Sequence, residues 1–516
     1  MSTRPGGQAA PPGPAVQAGE EVTLTITQLA PSGLGLGQRS EVCFLVPFAL
    51  PGEEVVAGVE RVSRARHRRR SGQPRPATPR WEATARVVSI VKSSPDRAVP
   101  ACRHFGSCGG CAWQHQAYRA QLERKRALVR SALLQVLREA TVPPDLVEPV
   151  IPSLAEWHYR NKLELTFSPG GRPGFHRRGS FKSLIEVEEC HLATPEMVKA
   201  ARVVGDWAVA HGLPGYDKAK NQGFLRHLVV RQAYHTEELM VALETFPPSV
   251  LRSREPGDPG EAGSGQATAG GDDEGQSTLP FAGDLVERLR ACLPQLTSLL
   301  WLSNPSPSDV VKVEGSRLQV LYGREFIEER LAGLTFRLEL PTFFQTNTRQ
   351  AETLLYLARE ALAADARPTD LLFDLYCGVG TFGLALARGL RLVVGIELVE
   401  SAVAAASANA ARNGIDNVVF LAGEVRRVFD QAVARFGPPD LILLDPPRAG
   451  AGSKVIRRLG RAEPRRIVYV SCNPHSLAAD LAELLPAGYH ITRVQPVDLF
   501  PHTDHVETVV TLTRSH

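Results

Sequence analysis

The most regular pattern of apolar and polar positions lies in the C-terminal third of the chain, from about residue 341. After a helical segment at about residues 348–364, further helical segments alternate with short apolar runs, at Leu371–Leu375, Leu392–Ile396, Val418–Ala422, Leu441–Leu444 and Ile467–Val470. Strands that alternate with helices indicate a parallel, doubly wound α/β sheet. The last two runs, Tyr489–Val497 and Val506–Thr513, predict an antiparallel pair. We therefore predict an α/β domain over residues 341–516.

Short β segments and glycines characterise residues 19–92. Apolar and polar positions form four strand-like segments, at Glu21–Leu29, Val42–Val46, Glu54–Val62 and Thr84–Val91. Gly33, Gly35 and Gly37 predict a turn between the first two segments. The pattern predicts a small β-barrel. Residues 1–18 are rich in Pro, Gly and Ala and are expected to form a disordered tail.

The pattern of strand-like and helical segments over residues 93–340 predicts a central α/β domain. An amphipathic helix at about Gln116–Leu137 follows the segment Pro100–Cys111, which contains three cysteines. Mixed strands and helices follow, at Lys162–Ser168, Glu196–His211, Leu225–Gln232 and Leu239–Thr245. Between Arg252 and Thr278 there is no large apolar residue, so this segment cannot bury a core and is predicted to be a flexible insert.

Charge and composition narrow the class of protein. The 516-residue chain has 43% hydrophobic residues and a net charge of only +4, but from Arg61 to Lys92 it carries ten Lys or Arg residues and one acid, Glu82. Such a run is either a phosphate-binding surface or a solvated loop. There is no run of about 18 apolar residues and no signal-peptide core, so we expect a cytoplasmic protein without a membrane segment.

The strand at Leu371–Leu375 leads into the glycine-rich turn Asp374-Leu-Tyr-Cys-Gly378-Val-Gly380-Thr-Phe-Gly383. Glycines after a strand let a ligand approach the backbone at a helix N-terminus, although they also serve tight packing. Glu397 ends the next strand, where an acid accepts hydrogen bonds from ribose hydroxyls. The turn and Glu397 favour an adenosine-containing cofactor, with NAD and S-adenosylmethionine both open at this point.

Three further groups after the turn are candidates for ligand binding or catalysis. Asp445-Pro-Pro-Arg448 ends the fourth strand, at the edge where doubly wound sheets bind ligands. Cys472 ends the fifth strand, ahead of a helix beginning near His475, and a helix N-terminus lowers a thiol's pKa. Glu507 opens the final strand and is a candidate general base. Each feature alone also has an ordinary structural explanation.

Cysteines form a second cluster far from these groups. Eight cysteines are too few for a disulfide scaffold, so clustered ones are interpreted as metal ligands or nucleophiles. Cys102, Cys108 and Cys111 lie close in sequence, and Cys190 is available as a fourth ligand. Four thiolates suit zinc or an iron–sulfur cluster, and the spacing leaves both open.

Together these residues resemble the RNA (uracil-5-)-methyltransferases, in particular the iron–sulfur branch that acts on large-subunit ribosomal RNA. The resemblance runs from about residue 19 to the end, except for the insert. It rests on the motifs above together with Leu225-Arg-His-Leu-Val-Val-Arg231, Phe343-Phe-Gln345-x-Asn347, Ser471-Cys-Asn-Pro474 and His505-Val-Glu507. It implies a C-terminal Rossmann-like methyltransferase domain, a central iron–sulfur domain and an N-terminal RNA-binding barrel of the TRAM type.

The resemblance also implies roles for individual residues. Cys472 matches the family's nucleophile and Glu507 its base. The positions that contact S-adenosylmethionine match Gln345, Tyr376, Gly378, Gly380, Thr381, Glu397, Glu424 and Asp445. Some members have Asn where this chain has Thr381. A 4Fe–4S cluster would be held by Cys102, Cys108, Cys111 and Cys190.

The implied activity is methylation of carbon 5 of a uridine in RNA, with 23S ribosomal RNA as the expected partner and a monomer as the expected state. Transfer RNA is the alternative substrate. An amino-group methyltransferase acting on adenine or guanine would need neither Cys472 nor Glu507. An iron–sulfur RNA-binding protein with an inactive methyltransferase fold would bind the same partners without turnover.

Overall fold

A computed structural model of the chain describes residues 15–30, 33–65, 81–138, 141–180, 182–218, 220–249, 278–306, 316–364 and 366–515. The insert predicted over 252–278 lies outside the described residues except for Thr278. Most of the predicted tail and residues 66–80 of the basic run also lie outside them. The chain divides into two units, Met1–Pro100 with Trp113–Gln121, and Ala101–Ala112 with Leu122–His516.

The first unit contains a closed barrel with the strand order β1-β2-β3-β5-β4. Its strands are β1 (Glu21–Leu29), β2 (Gly35–Arg39), β3 (Val42–Val46), β4 (Glu54–Arg64) and β5 (Trp81–Lys92). Alternate side chains of β1 are buried, as period-2 patterning requires. The predicted barrel is therefore confirmed.

Two details of the barrel differ from the sequence-based expectation. Gly35 and Gly37 lie inside strand β2 and are not part of a turn. A Cβ atom at Gly35 would lie 2.9 Å from the Ala49 carbonyl oxygen, so the glycine allows close approach of two backbones. Val16 is buried in the barrel core, so packing begins before residue 19.

The second unit contains a seven-stranded sheet with the order β12-β11-β10-β9-β6-β7-β8. Its strands are β6 (Lys162–Phe167), β7 (Pro173–His176), β8 (Leu184–Glu186), β9 (Leu225–Gln232), β10 (Leu239–Thr245), β11 (Leu296–Ser303) and β12 (Arg317–Gly323). Helices α2 (Pro195–Ala210) and α3 (Ala282–Cys292) contribute buried side chains to the hydrophobic cluster at this sheet. Helix α1 (Tyr118–Leu134) precedes it, and the hairpin β13 (Phe326–Leu331) and β14 (Leu334–Glu339) follows it.

A second seven-stranded sheet has the order β17-β16-β15-β18-β19-β21-β20. Its strands are β15 (Leu371–Leu375), β16 (Leu392–Glu397), β17 (Val418–Ala422), β18 (Leu441–Leu444), β19 (Arg466–Ser471), β20 (Tyr489–Val497) and β21 (Glu507–Arg514). The helices between and before them are α4 (Thr348–Ala363), α5 (Thr381–Leu386), α6 (Glu400–Arg412), α7 (Val425–Phe436), α8 (Ser453–Ala462) and α9 (Pro474–Leu484). β15 to β19 pair in parallel, whereas β21 is antiparallel to both of its neighbours. The predicted doubly wound sheet with an antiparallel end pair is confirmed.

The composition of the central strands explains their position. β15 and β18 are buried along their whole length, with the sequences LLFDL and LILL. Strands covered by helices on both faces need such continuous apolar runs. One hydrophobic cluster extends from Met240 and Leu300 of the first sheet to Leu372 and Val468 of the second. The two sheets of this unit therefore share a core across residue 341, and the domain boundaries stay predictions.

Among the described residues, no helix is both long enough and apolar enough to span a bilayer.

Candidate active site

The chemically suggestive residues meet at one edge of the second sheet. In the parallel sheet, Leu444 of β18 pairs with Leu375 of β15 on one side and with Tyr469 of β19 on the other. Asp445 directly follows β18, and Cys472 directly follows β19. The carboxyl ends of adjacent parallel strands thus bring these two side chains to the same edge, where doubly wound sheets bind ligands.

The glycine-rich turn after β15 contains two glycines with left-handed backbone conformations. Gly378 has φ 55° and Gly380 has φ 82°. A Cβ atom at Gly380 would lie 3.0 Å from the Phe420 ring, so this glycine also serves packing. A Cβ atom at Gly378 would meet no atom within 4 Å, and its N–H donates to Glu397 Oε2 at 3.1 Å. The turn therefore exposes backbone beside an acidic side chain.

Three further cofactor candidates surround this turn. Tyr376 has φ 64°, and its hydroxyl donates to the Ala451 carbonyl at 3.4 Å. Thr381 is the first residue of α5. The Glu424 side chain accepts from Arg426 Nε at 2.8 Å, while the preceding Gly423 N–H donates to the Glu397 carbonyl at 2.8 Å. The fold thus brings Tyr376, Thr381, Glu397 and Glu424 to one end of the sheet.

Asp374 supports the turn, a role that the sequence analysis did not assign. Its buried Oδ2 accepts the Gly383 N–H at 2.8 Å. Burial raises the pKa of Asp374 to about 8, with further increases from Asp445 and Glu397. The sequence signal was available, because an acid stands at the end of β15 immediately before the turn.

Asp445 and Gln345 contact each other at the same edge of the sheet. Gln345 Nε2 donates to Asp445 Oδ2 at 3.3 Å, and the Gln345 carbonyl accepts from Asn161 Nδ2 at 2.9 Å. Burial raises the pKa of Asp445 to about 7. The segment that follows Asp445 is held by Asp480, which accepts from the Ala451 N–H at 2.7 Å.

Cys472 and Glu507 come together through strand pairing. Ser471 of β19 pairs with Thr508 of β21, so the next residue outward on each strand is Cys472 or Glu507. Glu507 is buried, with 5% of its surface exposed, and Cys472 is half-buried. The pKa of Glu507 is raised to about 8, mainly by burial and also by the charge of Asp445. These three side chains are therefore coupled electrostatically.

The expectation of a lowered thiol pKa is wrong for this arrangement. Burial raises the pKa of Cys472 to about 11, the Glu507 and Asp445 carboxylates add to the increase, and Arg448 opposes it. The helix does begin beside the thiol, because Asn473 caps α9 and accepts from the His475 N–H at 3.1 Å. Burial and two nearby acids thus outweigh the favourable helix end.

Arg448 contacts His505 and Asn473, which are close in sequence to Glu507 and Cys472 respectively. Its guanidinium lies 3.1 Å from His505 Nε2, and its carbonyl accepts from Asn473 Nδ2 at 2.9 Å. His505 and Arg448 thus join the segment after β18 to the segment before β21. The positive charge of Arg448 favours the thiolate form of Cys472 and lowers the thiol pKa.

The four cysteines of the second cluster are also neighbours. Burial raises the pKa of Cys102 to about 11, and Cys190 and Cys108 contribute to that increase. Cys111 and Cys190 pack against Tyr159 and Leu192. Among the described residues, no three His, Cys, Asp or Glu side chains converge closely enough to hold one metal ion. The four thiols therefore lie in the same region, but their described positions do not form a site for a single metal ion.

A doubly wound sheet that ends in an antiparallel pair and carries a glycine turn after its first strand defines a Rossmann-like methyltransferase fold. The family model described as tRNA (Uracil-5-)-methyltransferase matches residues 310–515. An uncharacterized RNA methyltransferase of Chlorobaculum tepidum is 33% identical, with 96% of this chain and 97% of the relative covered. A counterpart from Caldanaerobacter subterraneus is 34% identical, with 96% and 99% covered.

A solved structure gives the same result. The Pyrococcus abyssi tRNA (uracil-54, C5)-methyltransferase, crystallised with S-adenosyl-L-homocysteine, superposes with a TM-score of 0.68 at 29% identity. The match covers 95% of this chain and 99% of that enzyme. The chain therefore belongs to the RNA (uracil-5-)-methyltransferase family and is an S-adenosylmethionine-dependent RNA methyltransferase.

The electrostatic coupling at Cys472 predicts how its alkylation responds to substitution. Glu507→Gln removes a carboxylate that raises the thiol pKa, so Cys472 should react faster with iodoacetamide at pH 9. Each unit by which the pKa falls increases the thiolate fraction about tenfold. Mass spectrometry of the Cys472 peptide measures the rate.

Arg448→Gln is the matched control, because the arginine lowers the same pKa. This variant should slow alkylation of Cys472 at the same pH. Slower alkylation in Glu507→Gln, or faster alkylation in Arg448→Gln, would contradict the proposed coupling.

Proposed function

We propose that this enzyme methylates carbon 5 of a specific uridine in 23S ribosomal RNA through a covalent bond between Cys472 and the uracil ring. The observation that carries the proposal is the pairing of β19 with β21, which brings the Cys472 thiol and the buried Glu507 carboxyl together, beside Asp445 at the end of β18. An amino-group methyltransferase would leave the thiol and Glu507 without a task.

The reactivity of uracil explains why a thiol is needed. Carbon 5 of uracil is a weak nucleophile. When the Cys472 sulfur, as thiolate, bonds to carbon 6, the electron pair of the 5,6 double bond shifts toward the carbonyl oxygen on carbon 4 and forms an enolate. Carbon 5 of this adduct is nucleophilic enough to accept a methyl group. The target base must leave its stack to reach the thiol.

Release of the product requires a base near Cys472. Glu507 removes the proton from carbon 5, the electron pair of that C–H bond restores the 5,6 double bond, and the sulfur leaves carbon 6 as thiolate. Because burial raises the pKa of Glu507 to about 8, its carboxylate form becomes more populated as the pH rises through that value.

The proposed site of the methyl donor lies around the glycine-rich turn after β15. We propose that Gln345, Tyr376, Gly378, Gly380, Thr381, Glu397, Glu424 and Asp445 hold S-adenosylmethionine. Open space at Gly378 and the Glu397 carboxylate beside it suit a ligand with a ribose. When bound, S-adenosylmethionine supplies a methyl group activated by a sulfonium. The hydrogen bond from Gln345 restrains the Asp445 carboxyl group.

Two kinds of RNA are candidates for the substrate, ribosomal RNA and transfer RNA. Transfer RNA is the substrate in the name of the Pyrococcus abyssi enzyme, which has the same fold. What supports ribosomal RNA is the resemblance of the sequence motifs, including the four gathered cysteines, to the iron–sulfur branch of the family. We therefore take 23S ribosomal RNA as the substrate and transfer RNA as the second candidate.

Methylation of defined transcripts tests the function. The wild-type enzyme should place 5-methyluridine in a 23S ribosomal RNA transcript, and Cys472→Ala should place none while binding S-adenosyl-L-homocysteine as the wild type does. Digestion of the RNA and mass spectrometry of its nucleosides measures the product. Glu507→Gln should transfer methyl and then remain bound to the RNA.

A transfer RNA transcript provides the comparison. Modification of transfer RNA alone would replace the ribosomal proposal with the second candidate. Full activity of Cys472→Ala would overturn the covalent mechanism for either RNA. Cofactor binding without methylation of any transcript would support an inactive fold.

We also propose that Cys102, Cys108, Cys111 and Cys190 hold a 4Fe–4S cluster. Cys108 and Cys190 both contribute to the raised pKa of Cys102, Cys190 contributes to that of Cys108, and Cys190 and Cys111 pack on the same residues. A cubane cluster binds each thiolate through a different iron, so its ligands need not meet at one point. The cluster would be a source of local structure or redox chemistry at this segment.

Purification without oxygen tests the metal proposal. The protein should contain about four iron and four sulfide per chain, the content of a 4Fe–4S cluster. Cys190→Ser should lose most of the iron, whereas Cys292→Ser, which changes a cysteine outside the cluster, should keep it. One zinc per chain without sulfide would contradict the proposal.

We propose finally that the barrel binds RNA phosphates. Arg61, Arg86 and Lys92 are exposed on its strands β4 and β5. Replacing all three by Gln should weaken RNA binding and reduce the slope of log affinity against log salt. The reduction should be at most about 0.9 for each phosphate that the variant no longer neutralises. Filter binding over a salt series measures both the affinity and the slope.

An equal change of charge elsewhere is the control. Arg202, Arg359 and Arg388 are exposed outside the barrel. Replacing these three by Gln should leave the salt slope closer to that of the wild type. Equal effects of the two triple variants would mean that the barrel charges have no special part in RNA binding.

A further inference from the structure

The segment that connects β20 to β21, the strand that begins with Glu507, is largely buried although it belongs to neither strand. We call residues Asp498–His505 the strap. Val497 and Glu507 pair across the hairpin, so the strap is the connection that leads directly to Glu507. Asp498, Leu499, His502 and Thr503 of the strap are buried. A buried segment outside a strand must find partners for its backbone groups elsewhere.

The strap finds these partners in four different parts of the chain. The carbonyl of Leu499 accepts from Asn347 Nδ2 at 3.0 Å. The next three carbonyls accept in turn from Lys125 Nζ at 2.9 Å, from the Tyr159 hydroxyl at 3.0 Å and from the Ala112 N–H at 2.9 Å. Four consecutive carbonyl groups are therefore held by four separate donors.

Lys125 makes a second, charged contact with the strap. Its Nζ also donates to Asp498 Oδ1 at 2.6 Å, and neither side chain is exposed to solvent. Asp498 Oδ1 in turn accepts the Phe500 N–H at 3.0 Å. One buried ammonium thus joins both ends of a short turn at the start of the strap. Removal of one partner from a buried charge pair leaves the other uncompensated.

The far end of the strap is held by a ring stack. The His502 imidazole lies on the Trp157 indole, with 3.7 Å between ring centroids and 18° between planes. His502 also adopts φ 65°, an uncommon backbone conformation that surrounding contacts must maintain. Three residues later, His505 lies against Arg448 at the outer side of the candidate active site.

From these contacts we infer that the strap, held by Lys125, Tyr159 and Trp157, positions Glu507 against Cys472. Lys125 is thereby a positioning residue that acts through the strap and touches no reacting atom. The donor Ala112 directly follows Cys111, so the cysteine-bearing segment is one of the anchors. The inference rests on the proposed role of Glu507 as the base that releases the methylated RNA.

A loosened strap should affect one step more than the others. Bond formation by Cys472 and methyl transfer depend on β18 and β19, whereas release depends on Glu507. Misplacement of a reacting group by a small distance costs roughly 10- to 100-fold in rate. Lys125→Met should therefore lower kcat by about that factor, leave KM for S-adenosylmethionine nearly unchanged, and accumulate a covalent protein–RNA complex.

The experiment uses full-length protein and the transcript that the wild type methylates. Denaturing gels give the fraction of covalent complex, steady-state assays give kcat and KM, and calorimetry gives the affinity for S-adenosyl-L-homocysteine. Tyr159→Phe is the second variant, since it removes only the hydroxyl that binds the Pro501 carbonyl. It should accumulate the complex in the same direction and decides the question if Lys125→Met does not fold.

Arg126→Met is the matched control on the same helix. Arg126 Nε donates to the Val147 carbonyl at 2.8 Å and not to the strap, so this variant should accumulate no complex. Glu507→Gln provides the reference for a stalled enzyme. Stalling in Glu507→Gln but in neither Lys125→Met nor Tyr159→Phe would overturn the inference alone. Failure of Glu507→Gln to stall would overturn the base assignment and the inference with it.

Discussion

The pairing of the last strand with β19 is the constraint on which the candidate active site depends. In a wholly parallel sheet, only the carboxyl ends of strands reach the ligand-binding edge. Because β21 runs antiparallel to β19, its first residue arrives where the last residues of β19 leave. One backbone register therefore places Glu507 beside Cys472. A shift of one residue would turn Glu507 to the other face of the sheet.

Burial of this edge has a chemical consequence. Asp445, Glu507 and Cys472 all have raised pKa values, and burial is the largest cause for each. A site that disfavours charge holds protons in the absence of substrate. Glu507 and Asp445, with pKa values near neutrality, are suited to exchange protons during a reaction. The strap adds rigidity, since its carbonyl groups are satisfied by donors that do not belong to the sheet.

Several parts of this arrangement follow from sequence patterns, and others do not. The runs at Leu371–Leu375 and Leu441–Leu444 predict buried strands because they are apolar and continuous. Strand β2 was not predicted because glycines usually mark turns, and a turn was expected there. In the structure, Gly35 instead allows two backbones to approach each other closely. The pKa of Cys472 was expected in the wrong direction, since a helix start is visible in sequence and burial beside two acids is not. The Lys125–Asp498 contact joins positions 373 residues apart, and no local pattern reports such a pair.

The central claim is that Cys472 bonds to the target uracil at the edge formed by β18, β19 and β21. RNA in which 5-fluorouridine replaces uridine tests it most directly, because fluorine on carbon 5 cannot be removed as a proton and the adduct is trapped. The account predicts that digestion and mass spectrometry find the nucleotide attached to the peptide containing Cys472. Attachment to Cys377, the buried cysteine of the glycine-rich turn, would contradict it. Full methylation of uridine RNA by a protein that forms no adduct would also contradict it.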